Sequence, residues 1–307
     1  MRHRPVPRLH RPRRRRGRHR PPCARLRRRP RLPRRPDPVG AAVTLYVASG
    51  CGGTGRELAP YADLGALGGF VTRTLTLDPR RGSRLRISES PGGLVRAHLL
   101  QNPGVDRFLT HEMPWLAQQG VPTWASVTGA SLDDIAAVVR RVATAPGLTG
   151  IELNLAVDDP AALRLHDGST PKGAAAAVRV VLDALPDNLG LHVKLGADVR
   201  RLPALARAVA EVGADALVVG GALPASLPNG TPAELSGPAI LPTALRAVRA
   251  VRDELPEFPL IGVGGVTSAA DARAFEAAGA FAVQVGTALL HDPSTLARIT
   301  AELEEQS

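Results

Sequence analysis

The chain has 307 residues, 44% hydrophobic and only 3% aromatic, with 39 Lys+Arg against 28 Asp+Glu for a formal charge of +11. That charge is not spread evenly: residues 1–39 hold 17 Arg and one acid, Asp37, for +16, whereas residues 40–307 hold 22 basic and 27 acidic groups, for −5. The body is therefore mildly acidic and argues against a nucleic-acid partner. Two cysteines, Cys23 and Cys51, are too few for a disulfide framework or a four-cysteine zinc site, and no apolar run is long enough to span a membrane.

Residues 1–39 contain nine Pro among the Arg and no Ser. Proline and like-charge repulsion both oppose a packed fold, so the expectation is a disordered tail. A nucleic-acid-binding arm, an organelle transit peptide and a spurious extension from a GC-rich reading frame are the readings open for it. Monotonous Arg and Pro, without Ser, favours the last. The absence of an apolar leader adds the expectation of a cytoplasmic protein with no membrane anchor.

From Thr44 onward, short apolar runs alternate with helical patterns. The predicted strands are Thr44–Ala48, Gly69–Thr72, Thr123–Val127, Gly150–Leu153, Leu191–Leu195, Ala216–Val219, Leu260–Val263 and Ala282–Val285. Continuous β-rich runs of this length read as strands buried on both faces. Between them, Ser131–Ala143 opens on a cap-like Ser131 with Asp134 three residues on. Leu202–Val212 stops at Gly213 and Ser268–Ala278 at Gly279. Pro293–Leu303 follows Asp292, a cap with Pro at the first helical position. Eight such units within residues 40–307 predict an α/β fold, a (β/α)8 TIM barrel, with a doubly wound open sheet as the alternative. The longest interruption, Leu75–Gln101, is expected to cover the C-terminal mouth.

In a barrel of this kind, chemistry sits where strands run into the following loops. Five strand ends carry suggestive residues: Ala48-Ser49-Gly50-Cys51, Glu152-Leu153-Asn154, Lys194, Gly264-Gly265 and Gly286-Thr287. Glycines after the last two strands, each followed by a helix, predict a phosphate site of bare backbone N–H groups and helix N-termini. Only two of the basic residues are Lys, namely Lys172 and Lys194. Against so strong an Arg bias, an amine kept on a strand suits a point charge toward a flavin edge or a phosphate. Lys172 falls in the first turn of a solvated helix and receives no role.

These residues resemble the class 1 dihydroorotate dehydrogenases. The matching segments are Ala48-Ser49-Gly50, Ala59-Pro60-Tyr61, Val71-Thr72-Arg73-Thr74-Leu75-Thr76, Gln101-Asn102-Pro103-Gly104, Glu152-Leu153-Asn154, Val193-Lys194-Leu195 and Leu235-Ser236-Gly237-Pro238. The run from Ile261 to Ala288 is the most specific. The resemblance implies FMN, with its phosphate at Gly264, Gly265, Gly286 and Thr287. Ala48, Ser49, Gly50, Thr72, Asn154, Lys194 and Gly237 would line the rest of the flavin. It also implies oxidation of dihydroorotate to orotate in pyrimidine biosynthesis, by hydride transfer to the flavin and proton transfer to a side-chain base. A homodimer and a separate electron-transfer subunit are further implications.

The substrate half departs from that pattern. The base position is Val157, which accepts no proton. Asp158, Asp159 and His166 are the replacement candidates, although Asp158-Asp159-Pro160 also reads as a helix cap followed by Pro. Arg73 and Arg96 stand at substrate positions and suit a carboxylate, although the Arg bias alone can produce them. Ser126 and Gly221-Ala222 replace polar residues. Dihydroorotate oxidation with a displaced base, FMN chemistry on another small anionic substrate, and a non-catalytic flavin-binding homologue are the three open readings. Cys51, beside the flavin position, is either reactive or a small residue in a tight loop.

Overall fold

The computed structural model describes residues 43–81, 87–97, 100–157, 161 and 163–305. The readings made for the tail, and those for Asp158 and Asp159, lie outside the described residues.

Twelve strands occur among these residues. In chain order they are β1 (Thr44–Val47), β2 (Gly69–Val71), β3 (Ile87–Ser90), β4 (Gly93–Arg96), β5 (Thr123–Val127), β6 (Leu148–Asn154), β7 (Gly190–Leu195), β8 (Ala216–Gly220), β9 (Leu223–Ser226), β10 (Pro232–Ser236), β11 (Leu260–Val263) and β12 (Ala282–Val285). Eight of them close into a parallel barrel in the order β1-β12-β11-β8-β7-β6-β5-β2, with β2 pairing back to β1. All eight strands expected from the sequence are barrel strands, which decides for the closed barrel over the open sheet.

The barrel has two apolar shells because successive side chains on a strand point to opposite faces. Leu45 and Val47, Ile151 and Leu153, and Val193 and Leu195 pack outward against the helices. Tyr46, Val71, Trp124, Val218, Ile261 and Ala282 pack inward. The inward positions of β6, β7 and β12 also carry Glu152, His192, Lys194 and Gln284, all buried. Low in the barrel, the His192 ring stacks on Trp124 with centroids 3.5 Å apart and planes 12° from parallel. Burial there pushes the His192 pKa down to about 3.

Helix signals in the sequence largely hold. Ser131 caps Leu132–Val142 by accepting the Asp134 N–H at 3.1 Å. Leu202–Val212 ends at Gly213, with φ +119°. Ala269–Ala277 opens with a full capping box between Ser268 and Asp271. Lys172 is exposed in the first turn of Pro171–Ala184, as expected. The last helix differs: it runs Thr295–Glu304, two residues later than Asp292-Pro293 predicts. Asp292 instead accepts both the Ser294 N–H and its hydroxyl, folding a turn before the helix begins.

The four remaining strands form an antiparallel sheet in the order β3-β4-β10-β9. It is built from two insertions, one after β2 and one after β8, joined by pairing of β4 with β10. Ala239 N–H donates to the Gly92 carbonyl at 2.9 Å, tying the first insertion to the second. The first insertion returns through Asn102. Its side chain accepts from the N–H groups of Thr76 and Gly104 and donates to the Leu100 carbonyl.

Candidate functional site

The barrel mouth and the antiparallel sheet enclose a cavity of about 400 Å³. That size is in the ordinary range for small-molecule sites, about 300–1,000 Å³. Its floor is the C-terminal ends of the barrel strands, and its roof is the sheet.

Lys194 rises from the floor. Its Nζ donates to Gln284 Oε1 at 3.2 Å and lies 3.8 Å from Glu152 Oε1. Gln284 Nε2 in turn donates to Glu152 Oε2 at 2.5 Å. Glu152 and Gln284 are fully buried and Lys194 is 9% exposed. An ammonium has three donors, so this clamp leaves capacity directed at the cavity. The buried carboxylate balances the buried cation, which would otherwise be costly to desolvate.

One wall is a hydroxyl and amide network. Asn154 Nδ2 donates to Thr74 Oγ1 at 3.0 Å, and Thr74 Oγ1 bonds Ser126 Oγ at 3.0 Å. Ser49 Oγ donates to the Thr72 carbonyl at 2.8 Å and lies 3.3 Å from Thr74 Oγ1. Thr74 is the hub that sequence reasoning did not single out; its signal was the Thr72-x-Thr74-x-Thr76 alternation. Thr72 itself lies behind the wall, where its hydroxyl accepts the Ser126 N–H and donates to the Arg73 carbonyl.

The opposite rim holds Gly264, Gly265, Gly286 and Thr287. Gly265 has φ +81°, and a Cβ there would stand 2.7 Å from the Leu241 backbone nitrogen, so only glycine fits. The helix after this rim adds less than the sequence implied. Asp271 Oδ2 already accepts from the N–H groups of Thr267 and Ser268, which occupies that helix end. An anion here is left to the loop backbone and to Lys194.

The structure brings Ala48, Ser49, Gly50, Asn154, Lys194, Gly237 and the four rim residues to one cavity, together with Arg73, Arg96 and Val157. Among the described residues, the buried Arg73 Nε has no hydrogen-bond partner. His166 is not among the lining residues: its Nε2 lies 3.1 Å from the Gly173 carbonyl and its N–H donates to Gly129. Cys51 lines the cavity. Burial pushes its thiol pKa up, while the charges of Arg96 and Lys194 pull the other way. Glu234, on the roof, also lines the cavity and was missed by sequence reasoning.

The sequence profile of the dihydroorotate dehydrogenase family matches residues 42–306. The chain belongs to the dihydroorotate dehydrogenase family. Its relatives include a protein of Anoxybacillus flavithermus, 39% identical over 270 residues, covering 84% of this chain and 85% of the relative. Another, from Desulforudis audaxviator, is 40% identical over 271 residues, covering 85% and 87%. Both are named dihydroorotate dehydrogenase B (NAD(+)), catalytic subunit. A solved structure titled as DHODH in complex with ferulenol, from Eimeria tenella, superposes with a TM-score of 0.74 at 17% identity, covering 86% of this chain and 81% of that one, and shares the fold. Membership makes this protein a flavin-dependent oxidoreductase of the class acting on CH–CH bonds. Among the described residues, no helix is long and apolar enough to cross a membrane.

Proposed function

We propose that this protein is an FMN-dependent dehydrogenase that removes two hydrogens from adjacent carbons of a small anionic substrate, with dihydroorotate the first candidate. The observation that carries this reading is the Lys194 ammonium, clamped by Glu152 and Gln284 in a cavity rimmed by Gly264, Gly265, Gly286 and Thr287. When bound, FMN accepts the hydride. Lys194 and the glycine rim hold its anionic and electron-rich parts. Ala48, Ser49, Gly50, Asn154 and Gly237 border the remainder, and Thr72 supports that wall from behind.

Arg73 and Arg96 serve the anionic end of the substrate, and the Arg73 Nε, without a partner among the described residues, is a donor ready for a carboxylate. Electrons then pass to a separate subunit. A chain with two cysteines has too few thiolates for a four-cysteine iron–sulfur cluster of its own, and the relatives bear the name of a catalytic subunit. Residues 40–307 form the FMN-binding unit, a homodimer in the cytoplasm, and residues 1–39 are a dispensable extension.

A second reading is favoured by a specific observation: Val157, Gly221 and Ala222 line the cavity where the family resemblance expects polar contacts. Each unmet buried hydrogen bond costs about 1–3 kcal/mol. The same flavin chemistry on a different small anionic substrate follows from that loss.

The test is to purify the full chain, record the flavin spectrum and add dihydroorotate anaerobically. Bleaching supports the first reading. Bound flavin bleached by another reduced acid, but not by dihydroorotate, supports the second. Arg73→Ala weakens the substrate concentration dependence in either case. A purified chain that binds no FMN overturns both.

A further inference from the structure

A backbone anion site works only if its N–H groups are aimed. At the start of the helix Ala269–Ala277 they are already taken: Asp271 Oδ2 accepts from Thr267 and Ser268, and Glu302 Oε2 accepts from Ala269 at 3.2 Å. The loop between β11 and this helix keeps two others. Among the described residues, the N–H groups of Gly265 and Val266 donate to no protein acceptor. Both residues line the cavity, and Thr267 lines it beside them. Gly264 and Gly265, with φ of +123° and +81°, have little conformational preference of their own. Whatever fixes Thr267 therefore fixes the direction of the two donors before it.

Thr267 is gripped at three atoms. Its N–H and its hydroxyl donate to Asp271 Oδ2 at 2.9 and 2.8 Å. Its carbonyl accepts from Arg298 Nη2 at 3.1 Å. Arg298 comes from the last helix, Thr295–Glu304, whose Leu296, Ile299 and Leu303 are buried in the core, so it reaches the loop from a fixed base. One turn further along that helix, Glu302 Oε1 accepts from Arg298 Nη1 at 3.5 Å. The last helix thus holds the loop on both sides of Ser268, at the Thr267 carbonyl and at the Ala269 N–H. A guanidinium can serve a carboxylate with one arm and a carbonyl with the other, which a single ammonium does less well. The Arg298 side chain is 44% exposed, so its ion pair with Glu302 adds little stability by itself. Its consequence lies in the carbonyl that it holds.

On the FMN reading proposed above, we infer that Arg298 is a positioning residue for the cofactor phosphate and sets the preference of the site for a phosphorylated flavin over riboflavin. Arg298 acts through the Thr267 carbonyl. Without it, the peptide after Thr267 loses its anchor, and the Gly265 and Val266 N–H groups lose their common aim. Asn154 and Lys194 stand on β6 and β7 and do not depend on this anchor. The loss therefore falls on the phosphate and spares the rest of the flavin.

The test strips the full chain of flavin and titrates it with FMN and with riboflavin, following flavin fluorescence, for the wild type, Arg298→Ala and Arg298→Lys. FMN affinity is expected to fall at least about fivefold in Arg298→Ala while riboflavin affinity stays within about twofold of the wild type. Arg298→Lys, which serves the carbonyl or Glu302 but not both, should fall between them for FMN. Urea unfolding of the flavin-free proteins checks that the variants are folded. A general loosening of the barrel would weaken both flavins together. If the wild type prefers FMN and both variants keep that preference unchanged, whether by losing the two flavins equally or by losing neither, the role of Arg298 is overturned and the FMN reading stands. If the wild type binds riboflavin as tightly as FMN, the rim is no phosphate site and the inference falls with it. If the wild type binds neither flavin, the proposed function itself falls.

Discussion

The Lys194 ammonium lies 3.8 Å from the Glu152 carboxylate, in a barrel interior where Glu152 has no exposed surface. Removing one member of a buried pair leaves the other charge uncompensated, at a cost of about 3–5 kcal/mol. Lys194→Met is therefore expected to lose about that much stability and to lose flavin binding. Adding Glu152→Gln should restore most of the stability but none of the flavin affinity. Denaturant unfolding and flavin titration of the two variants separate the effects.

Gly265→Ala forces a left-handed residue against the Leu241 backbone nitrogen. Such strain costs about 1–3 kcal/mol and displaces the rim. Flavin affinity should fall at least about tenfold while the circular dichroism spectrum stays that of the wild type. Unchanged flavin affinity would remove this rim from the cofactor site.

His192 gives the fold a pH dependence. Its folded pKa, pushed down to about 3 by burial, lies below the ordinary value of 6.5, so the unfolded chain binds a proton that the folded chain refuses. This group leaves stability unaffected above 6.5. Below it, stability falls by up to about 1.4 kcal/mol per pH unit until the folded state also protonates near 3. His192→Phe keeps a ring against Trp124 and should flatten that slope in urea unfolding measured at successive pH values.

Ser268 closes the capping box that opens Ala269–Ala277. Ser268→Ala should cost about 1 kcal/mol and lower the melting temperature by about 2–4 °C, with flavin binding preserved. An accompanying loss of flavin would show that this helix start takes part in the site despite the Asp271 cap.

Periodicity made the eight barrel strands legible, because strands buried on both faces read as short β-rich runs whatever their partners. The roof sheet was not legible. Ile87–Ser90 and Leu223–Ser226 alternate between half-buried and exposed residues. What joins them is pairing of β4 with β10, more than a hundred residues apart in the chain. Glu234 consequently read as an ordinary charge beside the Leu235-Ser236-Gly237 motif. His166 read as a possible base because its loop follows the Glu152-Leu153-Asn154 strand, yet a local carbonyl holds its ring.

By itself, the sequence determined the eightfold alternation, the helix ends marked by Ser131, Gly213 and Ser268, and the standing of Lys194 as a lysine kept against an Arg bias. These features depend on local burial and turn chemistry, which each segment carries alone. Only the tertiary structure decided that Lys194 is clamped by residues from β6 and β12, 42 and 90 positions away, and that Arg96 and Glu234 share the inner face of one roof. Barrel closure and strand register decide which inward side chains meet. Both are set by contacts between distant segments, so no single stretch of the chain can announce them.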